Sequence, residues 1–284
     1  MSRVLGIDIG GTHVRYGVVN DKFVSSVEKL FTKDIKDFTT FIVDLASKHK
    51  NIDVISIGVP GIVKNNKIVS IPNIKSLEIE NLDTELNIRT KKIIIINKDV
   101  NLLFANDLDR LNLAQAKNVL GFYLGTGLGN SIRVDGKILR GNNGFAGELG
   151  HIPIIGNEKV CTCGKTGCSE TIVSGKALIE IYEAYINDGN FKEMFINHRA
   201  NQYVKKFIKN FALIISMEVN IFDTTKIIIG GGVVNMSGFP KQLVREYIEK
   251  ELRSDILVKE LEVYFVDDSP INSIIGASLI TKES

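Results

Sequence analysis

The amino-acid sequence predicts an α/β protein made of two related α/β domains that flank a cleft. Short apolar, β-branched runs end in glycine or polar turns, as buried strands do. Other segments carry apolar residues at helical spacing. The series strand, glycine turn, strand occurs once in each half of the 284-residue chain. We place the first domain at residues 1–108, joined by a C-terminal helix at about 270–284, and the second at residues 109–269.

The first half contains the elements of a mixed α/β unit. A strand and a glycine turn are expected over Arg3–Gly11, and a second strand over Val14–Val19. Apolar residues at positions 38, 41, 42 and 45 lie on one face of a helix. Buried strands are expected at Asp53–Gly61 and Lys91–Asn97, where apolar runs end in turn or polar residues.

The pattern starts again near residue 118. A strand over Asn118–Gly127 ends in a second glycine turn, and Asn130–Gly136 predicts the return strand. An amphipathic helix over Asn201–Asp223 leads to a buried strand and a third glycine turn at Lys226–Val234. The repetition is the reason for predicting two related domains.

The composition excludes several classes of protein. Hydrophobic residues make up 44% and charged residues 24%, which is typical of a globular chain with a sizeable core. A net charge of +2 gives no electrostatic reason to expect nucleic acid or an anionic membrane. The aspartate at position 8 stands too early for a secretory leader, and the three cysteines are clustered. We expect a cytoplasmic protein.

Three glycine-rich turns follow predicted strands and suit a nucleotide. Glycines let backbone N–H groups approach an anion or adenine closely, and threonine hydroxyls add donors. An aspartate at the end of the first strand can hold Mg²⁺ through water. Alone, the first turn is equally typical of an ordinary hairpin. The residues concerned are Asp8, Gly10, Gly11 and Thr12; Gly125, Thr126 and Gly127; and Gly231 and Gly232.

Asp99 follows the most apolar strand of the first half. A carboxylate at the carboxyl end of a strand projects into the crevice where open α/β sheets bind ligands. There it can accept a hydroxyl proton as a phosphoryl group arrives. A helix N-cap for the segment that follows is the alternative interpretation.

All three cysteines lie between positions 161 and 168. Together with His151 upstream, Cys161, Cys163 and Cys168 form a Cys₃His set that suits a four-coordinate structural zinc ion. A free, reactive cysteine trio is the alternative. Catalytic zinc is not expected, because four protein ligands leave no open position.

Two glutamates border the predicted zinc loop. Glu148 precedes His151 and Glu170 follows Cys168, so a bound ion would bring these carboxylates into one neighbourhood. Carboxylates are good acceptors for the adjacent hydroxyls of a sugar. Asn73 and the turn containing Gly61 are further polar or exposed elements at strand ends.

Taken together, these motifs resemble the ROK family of sugar kinases, whose fold is that of the actin-like (ribonuclease H-like) ATPases. The resemblance covers essentially the whole chain, and the Gly147–His151 and Cys161–Glu170 segments match its zinc signature with high specificity. It implies ATP- and Mg²⁺-dependent phosphorylation of a hexose, usually at the 6-hydroxyl, and a structural Zn²⁺. It also suggests a homodimer.

The resemblance assigns a role to each motif. Asp99 would be the general base. The two glycine turns that contain threonine would bind phosphate, with Asp8 serving the metal, and Gly231 and Gly232 would pack on the adenosine. The residues that would contact the sugar are Glu148, His151 and Glu170, joined by Asn73 and Gly61.

Two positions depart from the family pattern. Lys98 stands where many members have asparagine, and Asn130 stands where the second phosphate turn usually ends in glycine. Asparagine tolerates a positive φ, which would preserve the turn. Within the family, Lys98–Leu103, Gly144–Ile154 and Asn220–Pro240 look most like D-allose kinases.

Other functions stay open from the sequence. A glucokinase, fructokinase, N-acetylmannosamine kinase or β-glucoside kinase would share these motifs. A sugar-sensing ROK regulator would carry a DNA-binding helix-turn-helix before the first phosphate turn, and we expect none before Asp8. A zinc-ribbon nucleic-acid module fits neither the charge nor the glycine turns.

Overall fold

Two mixed sheets form the framework of the protein. The structure is a computed structural model that describes residues 3–49, 51–71, 74, 77 and 81–282. The chain divides into unit 1, which comprises Met1–Gln115, Arg140–Ala146 and Ser269–Ser284, and unit 2, which comprises Ala116–Leu139 and Gly147–Asp268. The α/β class expected from the sequence is confirmed.

The sheet of unit 1 has the strand order β3-β2-β1-β4-β7. Strands β1, β2 and β3 pair antiparallel, whereas β1, β4 and β7 pair parallel. A separate hairpin is formed by β5 and β6. The strand bounds are β1 Arg3–Ile9, β2 His13–Asn20, β3 Phe23–Phe31, β4 Val54–Val59, β5 Ile62–Lys64, β6 Lys67–Ser70 and β7 Ile93–Lys98.

Four helices complete unit 1 in the described part of the chain. Asp37 caps α1 by accepting the N–H of Thr40 at 3.1 Å. The last helix, α9, packs on α3 at Gly276, where a Cβ would overlap the carbonyl oxygen of Leu102. The helix bounds are α1 Phe38–Lys48, α2 Leu82–Thr90, α3 Asp99–Arg110 and α9 Asn272–Leu279.

The sheet of unit 2 repeats this topology with the order β10-β9-β8-β11-β12. Again the first three strands pair antiparallel and the others parallel. The strand bounds are β8 Val119–Leu124, β9 Leu128–Val134, β10 Lys137–Ile138, β11 Lys226–Gly230 and β12 Glu262–Phe265. The helix bounds are α4 Gly175–Tyr185, α5 Met194–Asn197, α6 Gln202–Phe222, α7 Lys241–Glu251 and α8 Asp255–Glu260.

Each unit has its own hydrophobic core. In unit 1 the core includes buried Leu5, Ile7 and Ile57 from the strands and Ile42 from α1. In unit 2 the long helix α6 contributes Val204, Phe207, Phe211 and Ile215, the stripe that its helical periodicity predicted. None of the helices in the described part of the chain has the length and apolar character that a membrane span requires.

The limits of the units differ from the predicted domain limits, which stay a prediction. A boundary at residue 108 would fall inside α3, which ends at Arg110. Segment Arg140–Ala146 groups with unit 1, although the chain on both sides of it belongs to unit 2. Gly144 accounts for part of this grouping, because its backbone lies so close to Val63 of unit 1 that a Cβ would overlap the Val63 carbonyl. Its φ of 81° also favours glycine.

A polar pair is buried in the core of unit 2. Asn130 lies in β9 opposite Phe122, and its Nδ2 donates to Oε2 of Glu218 at 2.9 Å and to the carbonyl of Gly121 at 3.1 Å. The positive φ that asparagine would tolerate is not needed at Asn130, because the residue lies within strand β9. Burial raises the pKa of Glu218 to about 7, although the hydrogen bond from Asn130 lowers it.

This raised pKa predicts a pH-dependent stability. The folded state favours the neutral Glu218, so its contribution is complete below the ordinary pKa of 4.5 and is lost as the pH rises through about 7. At 1.36 kcal/mol per pKa unit, the free energy of unfolding of the parent, relative to that of Glu218→Gln, should fall by about 3 kcal/mol between pH 4.5 and pH 8. Denaturant titrations at several pH values measure it.

Glu183→Gln is the matched control, because Glu183 is exposed on α4. Its stability relative to the parent should change by less than about 0.5 kcal/mol over the same range. Equal pH dependence of the parent and Glu218→Gln would contradict the assignment.

Candidate active site

The first glycine turn, Gly10–Thr12, joins β1 to β2 and is held by backbone hydrogen bonds. Gly10 N–H donates to the carbonyl of His13 at 2.9 Å. Thr32 donates twice, from Oγ1 to the carbonyl of Gly10 at 2.6 Å and from N–H to that of Thr12 at 3.0 Å. Thr12 itself is exposed. Hydrogen bonds from Thr32 therefore hold the backbone of the turn, while the side chain of Thr12 faces solvent.

Asp8 lies near the end of β1 with 8% of its surface exposed. Its Oδ2 accepts a hydrogen bond from Ser273 Oγ at 2.8 Å and lies 3.4 Å from Nη1 of Arg15. Ser273 comes from α9, so a residue 265 positions away along the chain orients this carboxylate. The arrangement places a carboxyl group at the edge of the first glycine turn.

Asp99 is the first residue of α3, directly after β7. Its Oδ1 accepts the N–H of Val100 at 2.7 Å. A capping side chain would instead accept an N–H two or three residues ahead. Lys98 occupies the N-cap position with an extended backbone, so the capping alternative for Asp99 is wrong. Asp99 is a half-buried carboxylate whose direction is set by its neighbour's backbone.

Lys98 has its side chain buried at the same strand end, with 8% exposed. Its Nζ donates to the carbonyl of Ala146 at 3.1 Å. Another lysine, Lys64, reaches the same segment and donates to Oδ1 of Asn143 at 2.9 Å, at an exposed position. Lys98 thus fastens residues 140–146 to the strand end that carries Asp99.

The second glycine turn, Gly125–Gly127, joins β8 to β9 and lies against the start of α4. Gly175 N–H donates to the carbonyl of Gly125 at 2.8 Å, and Lys176 N–H to that of Thr126 at 3.3 Å. Ser174 caps α4 by accepting the N–H of Ala177 at 3.1 Å. A helix N-terminus carries partial positive charge, which favours a nearby anion.

The third glycine turn follows β11. Gly231 has a φ of 99°, and its Cβ position lies 2.6 Å from the carbonyl oxygen of Leu124, so only glycine fits there. Val233 N–H donates to that same carbonyl at 2.9 Å. Residues 231–238 form turns, and the next helix, α7, begins at Lys241.

One glycine in each turn has no structural reason to lack a side chain. A Cβ on Gly11, Gly125 or Gly232 would meet no atom within 4 Å, and none of the three has a left-handed backbone. Packing within the chain therefore does not explain them. Open space beside a bare backbone is what a phosphate or a flat base needs in order to approach closely.

His151 and the three cysteines come together in unit 2. Their ligand atoms all lie within 4.8 Å of one another. Nδ1 of His151 is 3.6 Å from Sγ of Cys161, and Sγ of Cys163 is 3.6 Å from that of Cys168. Tetrahedral zinc with bonds of about 2.3 Å separates its ligand atoms by about 3.5–4 Å, so the donor set fits this ion.

Two of the three thiols of this cluster, those of Cys163 and Cys168, differ in acidity. Burial, followed by hydrogen bonding to the other thiols, raises the pKa of Cys168 to about 12. The backbone N–H of Lys165 lowers the pKa of Cys163, which is exposed. A bound cation would be needed to hold Cys168 as the thiolate that metal coordination requires.

The predicted sugar-contacting glutamates lie on either side of this cluster. Oε2 of Glu148 is 4.0 Å from Nε2 of His151, so the imidazole faces a thiol with one nitrogen and a carboxylate with the other. Oε2 of Glu170 accepts the N–H of Leu128 at 3.2 Å. Ser169, next to Glu170, donates from Oγ to the carbonyl of Leu149, next to Glu148, at 2.5 Å. The two segments that carry the glutamates are therefore hydrogen-bonded to each other.

Gly61 and Asn73 are the remaining residues that were predicted to contact the sugar. Gly61 has a packing explanation, because its Cβ position overlaps the carbonyl of Ser70 in the β5–β6 hairpin. Asn73 lies outside the described residues. Unit 1 therefore contains Asp8, the first turn and Asp99, while unit 2 contains the other two turns, Glu148, Glu170 and the metal cluster.

Sequence reasoning missed three residues that support the site, namely Thr32, Ser273 and Ser174. Thr32 and Ser273 gave no local signal, because their partners are 22 and 265 positions away. Ser174 was recognisable as a helix cap, since a serine stands directly before the apolar periodicity of α4.

The chain is similar over most of its length to a family model and to curated proteins. The model of the ROK family matches residues 4–284. An N-acetyl-D-glucosamine kinase of Pectobacterium carotovorum is 28% identical over 258 residues, which cover 81% of this chain and 84% of that protein. An N-acetylmannosamine kinase of Vibrio cholerae is 27% identical over 257 residues, covering 85% and 88%.

A solved structure shares the fold. The crystal structure of a ROK family glucokinase from Streptomyces griseus, in complex with glucose and AMPPNP, matches with a TM-score of 0.79. The match covers 99% of this chain and 100% of that one, at 22% sequence identity. The observed α/β architecture is therefore one that a ROK protein adopts.

The partly buried hydrogen bond of Lys98 predicts a loss of stability when its side chain is changed. Lys98→Met should lower the free energy of unfolding by about 1–2 kcal/mol, because the half-buried carbonyl of Ala146 loses its donor. Lys64→Met, whose bond is exposed, should cost less than about 0.5 kcal/mol. Urea denaturation measures both, and equal losses would contradict the role given to Lys98.

Proposed function

Because the chain belongs to the ROK family, we propose that it transfers the γ-phosphoryl group of ATP to a hydroxyl of a hexose, the 6-hydroxyl first. That the chain is an ATP-dependent sugar kinase follows from the family together with relatives that are kinases of N-acetylated hexoses. The observation that carries the proposal is the carboxylate of Asp99 at the carboxyl end of β7, in the unit that also contains Asp8 and the first glycine turn.

Asp99 would act as the general base. Its carboxylate accepts the proton of the sugar hydroxyl while the hydroxyl oxygen bonds to the γ-phosphorus. The bond from that phosphorus to the bridging oxygen breaks, and ADP leaves with the electron pair. The N–H of Val100 holds Oδ1 at 2.7 Å and so fixes the direction of the carboxylate. Positioning of this kind is most of what a phosphoryl-transfer enzyme supplies.

The glycine turns would bind the nucleotide. Gly11 and Gly125 present backbone beside open space, with Thr12 and Thr126 exposed next to them as donors to phosphate oxygens. Gly232 offers the same bare surface to the adenosine, while Gly231 keeps the third turn against Leu124. The N-terminus of α4 adds partial positive charge beside the second turn.

Asp8 would hold Mg²⁺ through water. The carboxylate is kept in place by Ser273 and Arg15 and lies at the start of the first glycine turn. Mg²⁺ keeps several waters and needs few protein carboxylates, so one aspartate is sufficient. The ion supplies neutralisation of phosphate charge.

Zn²⁺ would be held by His151, Cys161, Cys163 and Cys168. The donor set and its distances suit a four-coordinate structural ion. Metal-bound histidines usually direct their second nitrogen at a carboxylate, and Glu148 stands in that position. The zinc loop would thereby orient a residue that we assign to the sugar.

The sugar is the least determined part of the proposal. Three segments that resemble D-allose kinases make D-allose the first candidate. The relatives favour an N-acetylated hexose as the second candidate. Glu148, His151 and Glu170 would contact the sugar hydroxyls, and the roles of Gly61 and Asn73 stay predictions. A cytoplasmic location, a homodimer and a cleft between two actin-like domains also stay predictions.

A panel of sugars tests the proposed reaction. With Mg-ATP, the protein should release ADP in the presence of D-allose, of an N-acetylated hexosamine or of another hexose, and not in the absence of sugar. Asp99→Asn should lower kcat by about 100-fold or more, because the base is lost. Sugar binding without turnover in the parent would favour the alternative, a sugar-sensing regulator. Full activity of Asp99→Asn would contradict the mechanism.

Removing one metal ligand tests the zinc loop. Cys163→Ser should lower the zinc content, measured by mass spectrometry, and raise the sugar KM by about tenfold or more, because Glu148 loses its orientation. Thr162→Ser, next to Cys163 and exposed, is the control and should keep both values. Loss of zinc with an unchanged sugar KM would leave the loop a stabilising element only.

A further inference from the structure

We propose that Glu170 is a positioning residue for the second glycine turn, Gly125–Gly127, in addition to its contact with the sugar. The inference rests on the proposed function, since it gives one carboxylate a part in binding both substrates. It assigns to Glu170 an effect on nucleotide affinity that is present before any sugar binds.

The carboxylate of Glu170 is in contact with the backbone of the turn. Oε2 accepts the N–H of Leu128, the first residue of β9, at 3.2 Å. At Gly127 a Cβ would overlap this same oxygen. A side chain at residue 127 would therefore have to displace the carboxylate of Glu170, whereas the Cβ position of Gly125 faces open space.

The other end of the turn is held by different groups. Gly125 N–H donates to the carbonyl of Gly127 at 3.0 Å, and the start of α4 donates to the carbonyls of Gly125 and Thr126. Leu124, just before the turn, accepts the N–H of Val233 from the third glycine turn. Glu170 holds the exit of the turn, and without it the exit loses a charge-assisted hydrogen bond.

The backbone on both sides of Glu170 is fixed by hydrogen bonds. The preceding Ser169 has its N–H bonded to the carbonyl of Ile152 at 2.9 Å and its hydroxyl bonded to Leu149. Thr171 and Asn157 both donate to the carbonyl of Cys168, at 2.8 and 3.1 Å. Because the backbone around Glu170 is fixed by these hydrogen bonds, the bond from its side chain to Leu128 holds the glycine turn in a defined position.

Two roles of Glu170 can be separated by measuring nucleotide binding without sugar. A residue that only contacts the sugar leaves that affinity unchanged. A residue that holds the turn changes it, because a disordered turn must be ordered when the phosphates bind. The conservative variant divides the roles further, since a glutamine carbonyl can still accept the N–H of Leu128.

The experiment is titration calorimetry of Mg-ADP into the full-length protein without sugar. Glu170→Ala should weaken ADP binding by about tenfold, the effect of losing one charge-assisted hydrogen bond. Glu170→Gln should stay within about threefold of the parent for ADP, while both variants bind the sugar substrate more weakly. Gly127→Ala should weaken ADP binding as well, because the added methyl displaces Oε2.

Glu180→Ala is the matched control. It also removes a hydrogen-bonded carboxylate, the partner of Lys159 at 2.6 Å, and it lies on α4, but it is exposed. Its ADP affinity should equal that of the parent. If Glu170→Ala does not fold, Glu170→Asp takes its place, since a side chain shorter by one methylene keeps the charge but loses the reach.

The outcomes separate the two proposals. ADP affinity of the alanine or aspartate variant equal to that of the parent would overturn the role of Glu170 while leaving the kinase assignment intact. A parent that binds no Mg-ADP and phosphorylates no sugar would remove the proposed function, and this inference with it. Weaker Mg-ADP binding by Glu170→Ala and Gly127→Ala, together with nearly unchanged Mg-ADP binding by Glu170→Gln, supports the role of Glu170.

Discussion

Parallel pairing of β1, β4 and β7 is the constraint on which the rest of unit 1 depends. Parallel strands end at the same edge of a sheet, and the register sets Asp8 opposite Gly58 and Val59 opposite Lys98. The acidic end of β1 and the start of α3 therefore emerge at one edge. In unit 2 the parallel pairing of β8 and β11 does the same for the second and third glycine turns. If β1 and β7 ran in opposite directions, Asp8 and Asp99 would lie at opposite edges of their sheet. The same holds for β8 and β11 and the two glycine turns of unit 2.

The elements that local patterns encode could be predicted from the sequence. Apolar β-branched runs placed β1, β4, β7, β8 and β11, because a strand buried on both faces has no polar alternation. The stripe of α6 was visible because helical spacing depends only on neighbours along the chain. The His151–Cys168 cluster was also predictable, since few side-chain sets suit zinc and these ligands are close in sequence.

Features that depend on distant contacts could not be predicted in the same way. The partner of Lys98 is a backbone carbonyl 48 positions away, and a carbonyl leaves no trace in the sequence. The return strand was expected to begin at Asn130, at the end of the second glycine turn, but β9 begins at Leu128 and its pairing with β8 places Asn130 within the strand. Whether a position belongs to a turn or to a strand follows from register, which one-dimensional patterns do not contain. The choice between candidate sugars depends on single hydroxyl contacts and is equally invisible to motifs.

The position of α9 has a consequence for synthesis on the ribosome. A Cβ on Gly6 of β1 would crowd the carbonyl of Ile274, and one on Gly276 would overlap the carbonyl of Leu102 in α3. Ser273 also donates a hydrogen bond to Asp8. Unit 1 thus contains β1 but lacks the helix that packs on it until residues 269–282 have been translated. Unit 2, which ends at Asp268, can form while the apolar surface that α9 later covers is still exposed. The sheet of unit 1 is therefore completed by a helix that is translated after unit 2, and until then its exposed apolar surface is the part of the nascent chain most open to misassociation.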